Sequence, residues 1–461
     1  MISSIVLDKL KQIVGPQYLI SEYSELKDYS SDGTKLIFMP DAVSFPGSDH
    51  EISGIFKLAS EERFPVIPRG SGTGMSGGTL AVRGGLVVSM NRLNRILLID
   101  EDNHIAKVEP GVITARLQEE VEKVGLFYPP DPASADVSTI GGNVAECAGG
   151  LRGLKYGVTR DYVLGMTVVL PTGEIIKTGV GTVKGVAGYD LTRLIIGSEG
   201  TLAVITSITL RLLPKPASKK TMIAFFPDLT SAARVVADII KEKVIPSILE
   251  FLDRKCIDCV REEMGMEIPS HAGAMLLIEV DGDEMLVERE ALKVDRICCR
   301  SDVIDFQTAG SRDDAERLWQ ARRAVSPSLL KLRPGKVSED VVVPRSRMPE
   351  LVSFLDILDN RYGLPIPAFG HAGDGNIHVN IMMDKDNPEE VKNGEAVVKE
   401  LFRKVIELGG TITGEHGVGI TKAPYMEIEF SKSSIELMKR LKRAFDPLGI
   451  LNPGKIFSNS Q

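Results

Sequence analysis

The chain has 461 residues, 44 of them glycine, and 55 Lys+Arg against 63 Asp+Glu give a formal net charge of −8. This length suggests two or three domains with ample apolar content for their cores, excluding a disulfide-stapled mini-protein or a disordered tail. The acidic balance, without a Lys/Arg stripe interleaved with aromatics, excludes a nucleic-acid footprint.

In chain order, Ile5, Leu7, Leu10, Ile13 and Val14 recur at helical spacing over 3–14. From about Pro40, β-rich runs at 64–67, 85–88 and 95–99 are interrupted by helical patterns at 51–62 and 114–124. A strand over 201–212 is followed by Pro214-Lys-Pro216, where a domain boundary is placed. Beyond it, apolar strands at about 221–226, 246–252, 274–280 and 302–307 alternate with helical patterns at 229–242, 253–264, 283–297 and 311–332. That rhythm predicts one sheet with helices on one face. A helix over 434–445 leads into closing turns.

No run approaches the roughly 18 apolar residues of a membrane span. The N-terminus lacks the basic start and long apolar region of a secretory signal, so a cytoplasmic protein is expected. The five cysteines, Cys147, Cys256, Cys259, Cys298 and Cys299, fit reduced thiols. Cys256-x-x-Cys259 has no second pair at ligand spacing and reads as two thiols on one helix. No cysteine run could hold an iron–sulfur centre.

Of the 44 glycines, 23 fall within 70–200. Gly72-Thr-Gly-Met-Ser-Gly77 matches the dinucleotide fingerprint GxGxxG, but that motif needs a helix opening at its third glycine. Here 79–89 is β-like and glycine-broken. The loop can still cradle phosphate through bare backbone N–H groups, with Ser71, Thr73 and Ser76 adding hydroxyls. A second cluster, 139–153, follows the proline-stiffened 128–134 and suits a flat ring lying against backbone. A third, 184–190, precedes a helix over 191–196 for which Asp190 is the expected N-cap.

Three of the six histidines fall within 371–416. His371 precedes a glycine-rich turn. His378 and Asn380 share one side of a strand-like run, and Glu415 and His416 stand among glycines. Two imidazoles and a carboxylate form a common ligand set for a divalent metal. A carboxylate substrate also needs a cation, and bidentate geometry favours arginine. Arg322 and Ser326 lie four apart on the helix over 311–326, with Arg323 a close competitor.

The three glycine clusters, closed by Gly197-Ser-Glu-Gly-Thr-Leu-Ala-Val-Ile-Thr206, resemble the vanillyl-alcohol-oxidase-type flavin-binding domain. The likeness extends over nearly the whole chain to the FAD-linked D-2-hydroxy acid dehydrogenase family, in the branch that holds the glycolate oxidase flavoproteins and the D-lactate dehydrogenases. The resemblance implies an α+β fold: an FAD-binding domain over 1–216, an α/β cap domain with a helix-covered antiparallel sheet over 217–420 carrying the metal site, and a segment 421–461 returning to the first domain. It implies FAD held by Pro68, Arg69, Gly70, Ser71, Gly72, Thr73, Gly74, Met75, Ser76, Pro130, Asp131, Ser134, Gly141, Gly142, Asn143, Ala145, Gly149, Gly150, Glu199, Gly200, Ile205 and Asn452. Covalent relatives use a histidine in or near the first loop, and none lies between 51 and 103, so non-covalent FAD is expected.

The same resemblance implies a divalent metal (Zn, Mn or Fe) on His371, His378 and Glu415, with His416 as catalytic base and Asn380 contacting substrate. It places the substrate-carboxylate arginine three residues after a tryptophan. Trp319 is the only tryptophan, which points to Arg322. Lys336 matches the family's second cation, but its spacing to Asp340 and Pro344 departs from that of the 2-hydroxyglutarate enzymes, favouring a short monocarboxylate such as D-lactate or glycolate. D-2-hydroxyglutarate, a metal-independent flavin oxidation of another alcohol, and a non-catalytic electron-transfer scaffold are the rival readings. Electrons are expected to leave to an iron–sulfur subunit, an electron-transfer flavoprotein, a cytochrome or a quinone, with any membrane association through that partner. The oligomeric state stays open, a homodimer included.

Overall fold

The computed structural model describes residues 2–458; Met1 and 459–461, the outer ends of the expected domains, lie outside them. The chain divides into two units. The first comprises the chain up to Ala148, Val158–Lys215 and the chain from Glu415 onward; the second comprises Gly149–Gly157 and Pro216–Gly414.

Two boundaries therefore differ from those read in the sequence. Residues 415–420, expected in the cap, belong to the first unit because Val418 and Gly419 N–H donate to the Glu199 carboxylate and Ile420 N–H to Ser76 O. Residues 149–157, expected in the FAD domain, belong to the second, where Lys155 and Tyr156 both bond Asp281.

In the first unit the helix Ser4–Val14, capped by Ser3, turns Val6, Leu10 and Val14 onto Ile52, Ile55 and Phe56 of the helix Asp49–Glu62. That pair covers the parallel strands Ala42–Ser44, Leu86–Ser89 and Val66–Arg69. The chain leaves Arg69 into a loop and reaches Leu86 without an intervening helix. Five antiparallel strands form a second sheet in the order Ile96–Asp100, Ile105–Val108, Val204–Arg211, Val163–Val169, Ile175–Gly179. The C-terminal segment returns to the first sheet, where Val66 N–H bonds Ile450 O and Asn452 N–H bonds Val66 O, both at 2.8 Å. Asp190 caps the helix Leu191–Ile195 by accepting from Arg193 N–H.

The second unit is built on seven antiparallel strands in the order Asp305–Thr308, Ser218–Phe226, Ala274–Gly282, Ile248–Asp253, Ala368–His371, Asn376–Met383, Gly335–Val342. One expectation fails here, because helices cover both faces of this sheet. Residues 274–281 are buried without alternation, as strands read when neither face meets water. Leu252, Met275 and Leu277 pack under the helices Arg254–Val260 and Arg312–Ser328. On the opposite face, Phe251 and Leu276 line a pocket together with Ala232 and Val236 of the helix Leu229–Lys241. Cys256 and Cys259 are buried in the first of these cores, as two thiols on one helix.

Asp340 shows how the far edge is secured. It is fully buried and accepts from Asn376 Nδ2 at 2.6 Å, Gly414 N–H at 3.0 Å and Thr413 Oγ1 at 3.1 Å. Removing an acceptor shared by several buried donors leaves them unsatisfied. Asp340→Ala is expected to cost about 3 kcal/mol, seen as a lower thermal unfolding midpoint; an unchanged midpoint would contradict this role.

Candidate active site

Strand register alone gathers most of the polar residues on one sheet face. Glu250 pairs with His371, Phe369 with His378, His371 with Asn376, Asp340 with His378, Ser338 with Asn380 and Lys336 with Met382. Directly opposed residues of an antiparallel pair share a face, as do residues two apart. Glu250, His371, His378, Asn380, Ser338, Asp340 and Lys336 therefore project to the side that also holds the helix Arg312–Ser328.

At the middle of this face lies Glu250, which is fully buried. Its Oε1 pairs with His371 Nδ1, and its Oε2 accepts from Arg322 Nε at 2.8 Å and Nη2 at 2.5 Å. Burial pushes this carboxyl up, but His371 and Arg322 outweigh it and hold Glu250 at about 2. The Arg322 guanidinium also lies 4.6 Å from the Phe369 ring centre. Arg323, its competitor in the sequence, is exposed and paired with Glu316. Arg322 is thus the buried arginine of the pair, with two of its N–H donors committed to Glu250.

The His371 and His378 rings lie 5.2 Å apart, edge to face, with ring nitrogens within 4.8 Å of each other. This chemistry fits a divalent cation, because a carboxylate on Nδ1 is the usual way of orienting Nε2 of a metal-binding imidazole. Asn380 accepts from Ser338 Oγ at 2.8 Å and donates to His378 O. Lys336 Nζ bonds Ser326 Oγ at 2.6 Å and Ser326 O at 2.9 Å, and burial lowers its ammonium below the ordinary lysine value. These two expected substrate contacts hold one another.

The first unit contains a cleft of about 390 Å³. Of the expected cofactor residues, Pro68 through Met75, Ser134, Gly141, Gly142, Asn143, Ala145, Glu199, Gly200 and Ile205 line it. Its walls fit a dinucleotide: bare glycine backbone from two loops, hydroxyls from Ser71, Thr73, Ser138 and Thr139, and the Arg69 guanidinium. The two loops are pressed together, since a Cβ on Gly70 would lie 2.4 Å from Thr139 Oγ1. Glu415 and His416 line the same cleft.

Six expected cofactor residues stand elsewhere. Ser76 accepts Ile420 N–H through its carbonyl, Pro130 O accepts from Gln118, and Asn452 Nδ2 ties Gly78 O to Glu199 O at 2.9 and 2.8 Å. Asp131 is off the lining, and Gly149 and Gly150 lie in the second unit. Conversely, no sequence motif singles out Glu250 or Glu146. A lone acid inside the otherwise apolar run 248–252 is the one signal that points to Glu250.

Comparison with known proteins identifies the family and the fold. Residues 40–179 match the family model "FAD binding domain" and residues 215–456 match "FAD linked oxidases, C-terminal domain". Glycolate oxidase subunit GlcD of Bacillus subtilis is 48% identical over 99% of this chain and 98% of its own. A D-lactate dehydrogenase of Anaerostipes hadrus is 34% identical over 98% and 97%. The crystal structure of p-cresol methylhydroxylase with substrate bound superposes with a TM-score of 0.79 at 18% identity, over 99% of this chain and 97% of that one. The last shows the fold, which is the expected vanillyl-alcohol-oxidase type with its α+β arrangement.

Gly72 offers a test of the cleft. It sits at φ +70°, and a Cβ there would meet the Arg69 guanidinium at 2.2 Å. Gly72→Ala is expected to weaken FAD binding at least about tenfold, or roughly 1.4 kcal/mol, measured by titrating FAD into apoprotein; unchanged affinity would remove this loop from the cofactor site.

Proposed function

The chain belongs to the FAD-linked oxidases, and within that family we propose that it oxidises a short D-2-hydroxy monocarboxylate, D-lactate or glycolate, to the 2-oxo acid. One observation carries the reading: Glu415 and His416, a metal-type ligand and a base adjacent in sequence, belong to the wall of the FAD cleft. The activities for which the two relatives above are named support the substrate class.

His371, His378 and Glu415 would hold a divalent metal, which when bound polarises the substrate's hydroxyl and carboxylate oxygens. FAD when bound supplies the two-electron acceptor. The His416 imidazole takes the hydroxyl proton as general base. Arg322 attracts the substrate carboxylate, and Glu250 holds both Arg322 and His371 in place. Asn380 and Ser326 border the same sheet face and orient the substrate. Lys336, already bonded to Ser326, adds positive potential. The reduced cofactor is reoxidised by a separate acceptor, since all five cysteines are free thiols spread over three places in the chain.

Under anaerobic conditions D-lactate or glycolate is expected to bleach the flavin band, and D-2-hydroxyglutarate to do so less efficiently. His416→Ala is expected to slow that bleaching at least about 100-fold with FAD still bound. Near-normal bleaching in the variant would refute the base. In a separate measurement, chelator treatment followed by dialysis should abolish bleaching and added zinc or manganese should restore it. Full activity in metal-free protein would instead support the metal-independent oxidation.

A further inference from the structure

One carboxyl in the cleft wall is accounted for by neither the nucleotide loops nor the proton transfer. Glu146 ends the helix Ile140–Glu146. The last carbonyls of that helix are tied to the next glycine turn: Gly197 N–H donates to Val144 O at 3.0 Å and Glu199 N–H to Ala145 O at 2.8 Å. Those two bonds bring the half-buried Glu146 side chain beside the buried Glu199 in the cleft wall.

The two carboxyls are treated very differently there. Glu199 accepts Val418 N–H at 2.8 Å and Gly419 N–H at 2.7 Å, and Lys422 and Lys455 are its cationic neighbours. Glu146 Oε2 is buried and accepts no hydrogen bond. Gly417 presses on it so closely that a Cβ would lie 2.2 Å away, and the charges facing Glu146 are Glu199 and Asp32, both negative. Arg69, Glu415, His416, Lys422 and Lys455 complete the charged surroundings of the cleft and the pair.

Two carboxylates cannot both ionise cheaply in such a place. Burial raises both carboxyls, and at Glu199 alone two backbone donors and two lysines work against that rise, so Glu199 is the member of the pair favoured to keep the charge. We propose that Glu146 binds FAD as a neutral carboxylic acid, donating its O–H as a hydrogen bond to an acceptor oxygen or nitrogen of the cofactor. Burial first, then Glu199 and Asp32, push the Glu146 carboxyl well above the ordinary range, which agrees with that geometry. The role also fits the ligand, because an ionised Glu146 would repel the pyrophosphate and could donate nothing to the acceptor-rich edge of the flavin. The inference rests on FAD binding and is independent of the substrate or metal.

The test uses full-length apoprotein titrated with FAD across a pH series, with flavin fluorescence as the readout. Glu146→Gln keeps the shape and an N–H donor, and is expected to bind within threefold of the native protein at neutral pH. Glu146→Met keeps the bulk without a donor, and is expected to bind at least tenfold more weakly. In the native protein affinity should fall as pH rises through the raised Glu146 pKa, and in Glu146→Gln that fall should vanish. Equal losses in the two variants, or an alkaline fall that survives in Glu146→Gln, would overturn the proposal. Native protein alone provides a check that needs no variant to fold: FAD addition should shift a protonated-carboxyl infrared band, and absence of any shifting band would also overturn it. A purely structural role would change thermal stability without separating Gln from Met or moving the pH profile.

Discussion

Glu250 sits where a carboxylate should not be, on a fully buried strand in the middle of a seven-stranded sheet. Leaving such a charge unpaired costs several kcal/mol, so the position is tolerable only with partners that are themselves fixed. Arg322 reaches it from a helix and His371 from the neighbouring strand. Each partner is then constrained by the other: the guanidinium by its fork on Oε2 and the Phe369 ring, the imidazole by its Nδ1 contact. The consequence is chemical as well as structural. A histidine whose Nδ1 faces a carboxylate presents a defined tautomer and ring orientation, and an arginine held in two directions presents its charge without paying for its own ordering.

Glycine solves two separate problems in this chain. In the first unit it removes side chains where loop meets loop, as at Gly70 against Thr139 and Gly72 against Arg69, and the space so gained becomes the cofactor cleft. On either side of Glu415 and His416 it lets the backbone press on acids. A Cβ at Gly414 would meet Asn376 and Asp340, and one at Gly417 would meet Glu146 and Glu199. The sequence excess is one number, but the physical reasons behind it are ligand approach in one place and packing against carboxyls in the other.

Local pattern made the N-terminal helix, four apolar strands of the cap and the absence of a dinucleotide helix legible, because each depends on neighbours in sequence. The histidine strands were legible for the same reason, their period-2 alternation putting His378 and Asn380 on one side. Glu250 was hidden because its partners lie 72 and 121 positions away, and within its own strand it reads as an interruption. The strand Gly335–Val342 was hidden by its polar residues Lys336, Ser338, Glu339 and Asp340, which face protein partners instead of water. Helices on both sheet faces were missed because two-sided burial erases the alternation that would have announced the sheet. Asn452 was named only through the resemblance, since its bridge between the carbonyls of Gly78 and Glu199 in the cleft wall spans 374 and 253 positions of sequence.

The segment 411–419 passes from one unit to the other at Gly414, and each part is held within its own unit by unlike means. On one side Asp340 receives Thr413 Oγ1 and Gly414 N–H, tying the chain to the cap's edge strand. On the other, Glu199 receives Val418 and Gly419 N–H, and Ser76 O receives Ile420 N–H, tying it to the cofactor loops. In the chain, Glu415, His416 and Gly417 are the residues between these two sets of bonds. Burial raises the Glu199 carboxyl, but those two N–H groups oppose the rise, and Glu146 beside it, with no such donors, is the acid more strongly driven to keep the proton. The bonds that hold 418–420 against the cofactor loops thereby also separate the two carboxyls of the cleft wall in their readiness to ionise.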